Sequence, residues 1–327
     1  MMKLIKNNCT DPAFNIALEE YFLSDSEDEY FCFWRNAPSV IIGRNQDALA
    51  EINMDFIKRH NIRLVRRSTG GGAVFHDLGN VNFSYITPCE KRDFFNFERF
   101  SAPVISALID LGLSVEATGR NDLTIDGLKI SGNAQHLHHG RILHHGTLLY
   151  NSDFSYMQGA LNADPRKLMG KGISSVRSRV TNISGHLKKP MTVEDFIAHL
   201  ESSIMSYFDN IVEYQLTPQD ISAINAIADH KYRNDDWTLI HMGKYSFKNS
   251  EVFPYGIVYL GFDVKDGKIS HISISGDFFG TRDIHELCSR FIGVSHTPDS
   301  ISNMLDGLDI ASYISGANND DIIRLFF

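Results

Sequence analysis

The run Arg66-Arg67-Ser68-Thr69-Gly70-Gly71-Gly72-Ala73-Val74-Phe75-His76-Asp77 concentrates more chemistry than any other stretch of the chain. Three glycines let backbone N–H groups approach an anion closely, and two arginines add fixed positive charge. A phosphate or a carboxylate suits such a loop. The same residues also describe a glycine-rich turn with solvated arginines. The spacing is neither GxGxxG nor GxxxxGK[ST], so the dinucleotide and P-loop readings fail.

A second group is Asn121-Asp122, then Lys129 and Ser131-Gly132-Asn133-Ala134. Lys129 stands between Leu128 and Ile130, and the two-residue period of a strand turns it away from both. It then faces either a cleft or water. Asp122 could share a Mg²⁺ ion with phosphate oxygens. A third group is His136, His138, His139, His144 and His145. Zinc would need convergent neutral imidazoles, and strand alternation separates His144 from His145. Arg166, Lys167, Lys171, Arg177 and Arg179 form a fourth group, either a solvated loop or a lid over an anionic ligand.

Positioning these residues takes a mixture of helices and strands. Asp11-Pro12 predicts a helix start, with Phe14, Ala17, Leu18 and Tyr21 along one amphipathic face. Short β-rich runs follow at 31–34, 39–42, 63–66, 73–76 and 81–86. A helix is predicted over 100–113, and Asp126-Gly127 is a hairpin turn between 123–125 and 128–130. A strand over 142–150 and helices capped by Thr192 and Thr217 complete the larger part. Past Tyr245 the pattern changes to strands and short helices. The expectation is an α+β chain with two domains, 1–246 and 247–327.

Composition narrows the function classes. Thirty-one Lys plus Arg against 40 Asp plus Glu give a net charge of −9, which disfavours general nucleic-acid binding. No apolar segment reaches the ~18 residues of a membrane span. Cys9, Cys32, Cys89 and Cys288 show no CxxC spacing, and no signal peptide is visible, so free thiols in the cytoplasm are expected.

Several stretches together resemble the lipoate-protein ligase A family: Phe33-Trp34-Arg35-Asn36, Val40-Ile41-Ile42-Gly43-Arg44, the 66–79 run, Lys129-Ile130-Ser131-Gly132, His144-His145-Gly146-Thr147 and residues 171–182. The resemblance implies a biotin-ligase-like mixed β-sheet catalytic domain with flanking helices and a small α+β accessory domain. It implies ATP-dependent activation of lipoate to lipoyl-AMP, aided by Mg²⁺. Transfer to one lysine of a lipoyl domain then follows, on glycine-cleavage H protein, a 2-oxoacid dehydrogenase subunit or both. No nucleic acid or membrane takes part. Carried residue by residue, Arg67, Gly72, Ala73, Val74, Phe75, Asn121, Asp122, Lys129 and Arg177 would hold nucleotide, with Asp122 on Mg²⁺ and Lys129 as the catalytic residue. Trp34, Arg66, Ser68, Gly70, Gly71, His76, His145, Gly146 and Thr147 would hold lipoate, and residues 171–182 would cover the adenylate. Trp34, Val40, Ile42 and Val74 are candidate walls for the apolar acyl chain.

Three rivals use related pockets. Thioester acyltransferases need a nucleophilic cysteine, and none lies between Asp122 and Asp153. A biotin ligase would carry a GRGRxG loop, which is absent from the sequence. A non-catalytic carrier would keep the pocket without turnover. The sequence leaves the acceptor and the choice between lipoate and octanoate open.

Overall fold

The computed structural model describes residues 1–24, 27–118, 121–162, 180–239 and 243–327. Fourteen strands are present among them: β1 Met2–Lys6, β2 Glu29–Trp34, β3 Ser39–Ile42, β4 Arg63–Arg66, β5 Val74–His76, β6 Asn80–Pro88 and β7 Glu116–Thr118, then β8 Asp122–Ile125, β9 Leu128–His138, β10 Arg141–Leu149, β11 Ile211–Gln215, β12 Phe247–Phe253, β13 Gly256–Lys265 and β14 Lys268–Gly276. The first five helices are α1 Pro12–Ser24, α2 Ala48–Glu51, α3 Met54–Arg59, α4 Phe97–Asp110 and α5 Phe154–Ala160. Together they make a mixed α+β chain with a large mixed sheet and flanking helices.

Eight strands form the main sheet in the order β11-β1-β2-β6-β10-β9-β8-β7, and β4-β3-β5 form a small second sheet. Asp126 and Gly127 take φ of 52° and 75°, so β8 turns tightly into β9 and Lys129 lands at the start of a strand. His139-Gly140 makes the next turn with φ of 46° and 76°, joining β9 to β10. α1 lies between the two sheets. It is not amphipathic as expected: Asn15, Ile16 and Glu19 are buried along with Phe14, Ala17 and Leu18, because both sheets and the helix Pro218–Ile227 close around it.

α4 begins at Phe97, three residues before the predicted start, because the Asn96 side chain accepts from Arg99 N–H at 3.1 Å and caps it earlier. The predicted capping box of Thr192 and Asp195 is present at the helix Val193–Tyr207. β12, β13 and β14 form a third sheet with their own core, built on Val258, Leu260, Phe278, Leu287, Phe291 and Ile301. That unit touches the rest at the glycine-rich loop, where Gly71 N–H donates to the Phe278 carbonyl at 3.3 Å. Arg44 pairs with Asp283 at 3.0 Å beside it. Phe279 packs in one apolar cluster with Phe97 and Ala134.

Candidate active site

One cavity gathers most of the residues singled out above. Trp34, Arg67, Gly71, Gly72, Ala73, Val74, His76, Asn121, Lys129, His145, Gly146 and Thr147 all line it. The main sheet supplies its floor as a row across four adjacent strands. Gly132 N–H on β9 donates to Thr147 Oγ on β10 at 3.2 Å, Thr147 pairs with Asn82 on β6, and Asn82 pairs with Trp34 on β2. Three strand spacings of about 4.8 Å make this furrow about 14 Å long.

Lys129 stands at the β9 end of the row. A Cβ placed on Gly132 would lie 2.8 Å from its ammonium nitrogen, so the lysine side chain folds over that glycine. Asp122 Oδ1 holds the ammonium at 2.6 Å, and both side chains keep partial solvent contact, 26% for Lys129 and 14% for Asp122. The opposite end is apolar, walled by Ile16, Trp34, Ile41 and Val74.

Arg67 is buried, and burial pushes its guanidinium down to about 10, so it stays cationic near neutrality. It staples the glycine-rich loop. Nε donates to Thr69 Oγ at 2.8 Å, Nη1 to the Ile41 carbonyl at 3.1 Å, and Nη2 to the Gly70 and Gly72 carbonyls at 2.6 and 2.8 Å. A polar network continues behind the wall: Thr69 Oγ lies 2.9 Å from His145 Nε2, and His145 Nδ1 lies 2.9 Å from Glu19. Ser84 donates to the same Glu19 at 2.6 Å, and the Trp34 indole N–H donates to Ser84 at 2.8 Å. One buried carboxylate on α1 thus ties together side chains from three strands, of which Trp34 and His145 line the cavity.

The structure places several of the expected residues outside the cavity wall. Arg66 is fully buried away from the cavity, and its guanidinium donates to the carbonyls of Gly43, Arg44, Gln46, Trp237 and Thr238. Adjacent residues diverge there, so only Arg67 reaches the pocket. Phe75 points into the separate core of Val40, Ile42 and Ile57, because alternation on β5 sends Val74 and His76 to the other face. For the same reason Ile41, and neither Val40 nor Ile42, walls the cavity. Gly70 faces the Phe278 carbonyl, 2.5 Å from where its Cβ would lie, and Ser68 hydrogen-bonds with the Tyr232 phenol. Asp122 pairs with Lys129 and does not line the wall. Arg177 and residues 171–179 lie outside the described residues.

Ile16, Asn82, Gly132, Asn133 and Ala134 also line the cavity and had not been singled out for it, although the last three adjoin Lys129 in a motif already marked. Ile16 and Asn82 carry no signal in sequence, since each looks like an ordinary element residue. His144 and His145 do part company, as expected: Gln135 Nε2 donates to His144 Nδ1 at 3.0 Å, and Ser101 lies 3.1 Å from its other nitrogen, on the far face of the sheet.

Burial holds His76 and His144 down to about 3 and His136 to about 4. An unfolded imidazole titrates near 6.5, so between those limits the unfolded chain binds more protons and stability falls as pH falls. Thermal unfolding should therefore shift to lower temperature between pH 7.5 and 5. A flat profile over that range would show that these rings are not buried neutral.

Residues 11–205 match the family model for the lipoyl protein ligase A/B catalytic domain. The chain belongs to the lipoate-protein ligase family. Residues 243–326 match the model for the bacterial lipoate protein ligase C-terminus. Lipoate–protein ligase 1 of Staphylococcus aureus is 42% identical over 327 residues, covering 99% of each chain. Lipoate-protein ligase LplJ of Bacillus subtilis is 41% identical over the full length of both. This lipoate-protein ligase family member is accordingly an enzyme. Among solved structures, Plasmodium falciparum LipL1, in complex with lipoate, superposes with a TM-score of 0.81 at 22% identity, covering 99% of this chain and 98% of the other, which fixes the fold. A lipoate-protein ligase A bound with ATP superposes at 0.63 with 26% identity, over 72% of this chain and 98% of the other.

Proposed function

We propose that the chain activates lipoate with ATP, forming lipoyl-AMP and releasing pyrophosphate, and then passes the lipoyl group to a lysine of a lipoyl domain. The observation that carries this is Lys129, a cation fixed by Asp122 at the head of an apolar furrow. Attack of a carboxylate oxygen on the α-phosphorus brings two anions together. A unit charge at ~4 Å from one of them contributes about 4 kcal/mol at an effective dielectric of 20. Lys129 supplies that charge at the junction, while the acyl chain runs toward Trp34, Ile41 and Val74.

In the second step a neutral lysine amine attacks the acyl carbon, the acyl–phosphate bond breaks, and AMP leaves. Relatives support each ligand: the Thermoplasma acidophilum protein Ta0514 has been solved with bound lipoic acid, and the archaeal bipartite ligase was analysed with its E2 lipoyl domain. Glycine-cleavage H protein and 2-oxoacid dehydrogenase subunits are the acceptors proposed for this chain. Mg²⁺ would neutralise nucleotide phosphate charge. Asp122 already holds Lys129, and among the described residues no three acidic, histidine or cysteine side chains converge on one point. The donors fit an ion brought by the nucleotide and shared with its phosphates, not a resident metal.

The four cysteines form no disulfide, and no described helix is long and apolar enough to cross a membrane. None of the cysteines lines the cavity. Burial pushes the thiols of Cys32 and Cys89 upward and that of Cys288 to about 11, the wrong direction for a nucleophilic thiolate. A protein with all four changed to serine should still lipoylate. If it folds but cannot transfer, a thioester route replaces the adenylate. The direct test is mass spectrometry of an acceptor domain incubated with the enzyme, ATP, Mg²⁺ and lipoate. A gain of one lipoyl group only when ATP is present is expected, and a gain without ATP overturns the proposal.

A further inference from the structure

The furrow that would take an apolar chain ends on an imidazole. His76 closes the end away from Lys129, standing edge-on to Trp34 with ring centroids 6.0 Å apart. Its orientation is set from behind. Asn15 Nδ2 donates to Asn36 Oδ1 at 2.9 Å, and to the Cys9 and Arg35 carbonyls. Asn36 therefore turns its own amide N–H to His76 Nδ1, 3.0 Å away.

Nδ1 thus accepts, and a ring kept neutral by burial must carry its proton on Nε2. His76 is 3% exposed and is one of the residues lining the cavity, and its buried Nε2 has no hydrogen-bond partner among the described residues. A buried donor left unpaired costs free energy, so an occupant that offers an acceptor there is favoured over one that is hydrocarbon throughout. Octanoate ends in methylenes and a methyl group, whereas the dithiolane ring of lipoate brings sulfurs, which accept weakly.

We infer that His76 is a specificity-determining residue, its Nε2–H donating to a dithiolane sulfur and so favouring lipoate over octanoate. This rests on the lipoate reading of the pocket. The test pairs two ligands with three proteins: lipoate and 5-cyclopentylpentanoate, which keeps the ring but replaces both sulfurs with methylenes, titrated into full-length wild type, His76→Phe and His76→Gln.

Wild type should bind lipoate about threefold to tenfold more tightly than the cyclopentyl acid. That ratio should collapse toward one in His76→Phe and persist in His76→Gln, which keeps a donor. An equal ratio in wild type and His76→Phe overturns the inference. Should His76→Phe not fold, the wild-type ratio decides alone: near one overturns it and threefold or more upholds it. Failure of the lipoate reading looks different, since neither acid would then bind wild type.

Discussion

Lys129→Ala is expected to lower lipoate-dependent pyrophosphate release by about 10²- to 10³-fold, the cost of removing one preorganised positive group from a charge-developing centre. The fold should survive. The Lys129–Asp122 pair is partly exposed, and such pairs contribute about 0–1 kcal/mol to stability. Gly132, with the ammonium folded over it, gains room instead of losing support. Pyrophosphate release by stopped assay, beside a melting curve on the same preparation, separates the two effects. Near-normal release by a folded Lys129→Ala protein would remove Lys129 from the chemistry.

Arg67→Met should act the other way round, through the loop before the ligand. Its guanidinium holds Thr69 and the carbonyls of Ile41, Gly70 and Gly72, all inside the protein. Leaving those acceptors unpaired costs about 3 kcal/mol, read as a loss of stability in urea unfolding. The apparent KM for both ATP and lipoate should rise with it, because the loop through Gly71, at φ of 86°, loses the staple on the Gly70 and Gly72 carbonyls that holds its backbone in place. Gly72→Ala is the counterpart. A Cβ there meets nothing within 4 Å, so stability should hold while binding weakens. A stable Arg67→Met protein with unchanged KM values would contradict the staple.

Much of this arrangement is legible in the residues. Asp126-Gly127 announces its turn because only a few residue types tolerate φ above zero, and that turn places Lys129. The glycine-rich run likewise declares a backbone meant for close approach. The two arginines beside it do not declare their directions. Arg66 ends among five carbonyls and Arg67 in the pocket wall, a split that depends on where the segments at Trp237 and Gly43 come to rest.

Val40, Ile41 and Ile42 show the limit of periodicity. All three are apolar because the small sheet is covered on both faces, so alternation gives no hint that Ile41 alone meets the cavity. α1 hides its buried Glu19 for the same reason: a helix enclosed by two sheets has no polar stripe to mark an inside and an outside. α2, α3 and α5 escaped sequence reading because each is too short to show a period, although Asp47, Asn53 and Asp153 cap them. The contact of Phe278 with Gly71 is visible only once the C-terminal unit is in place.

The central claim is that the furrow between Lys129 and Trp34 joins lipoate to AMP before any acceptor arrives. Isotope exchange between pyrophosphate and ATP, measured with wild-type enzyme and no acceptor protein, tests it most directly. Exchange that requires lipoate and disappears in Lys129→Ala is the result predicted. Absence of lipoate-dependent exchange in an enzyme that still lipoylates its acceptor would contradict the account.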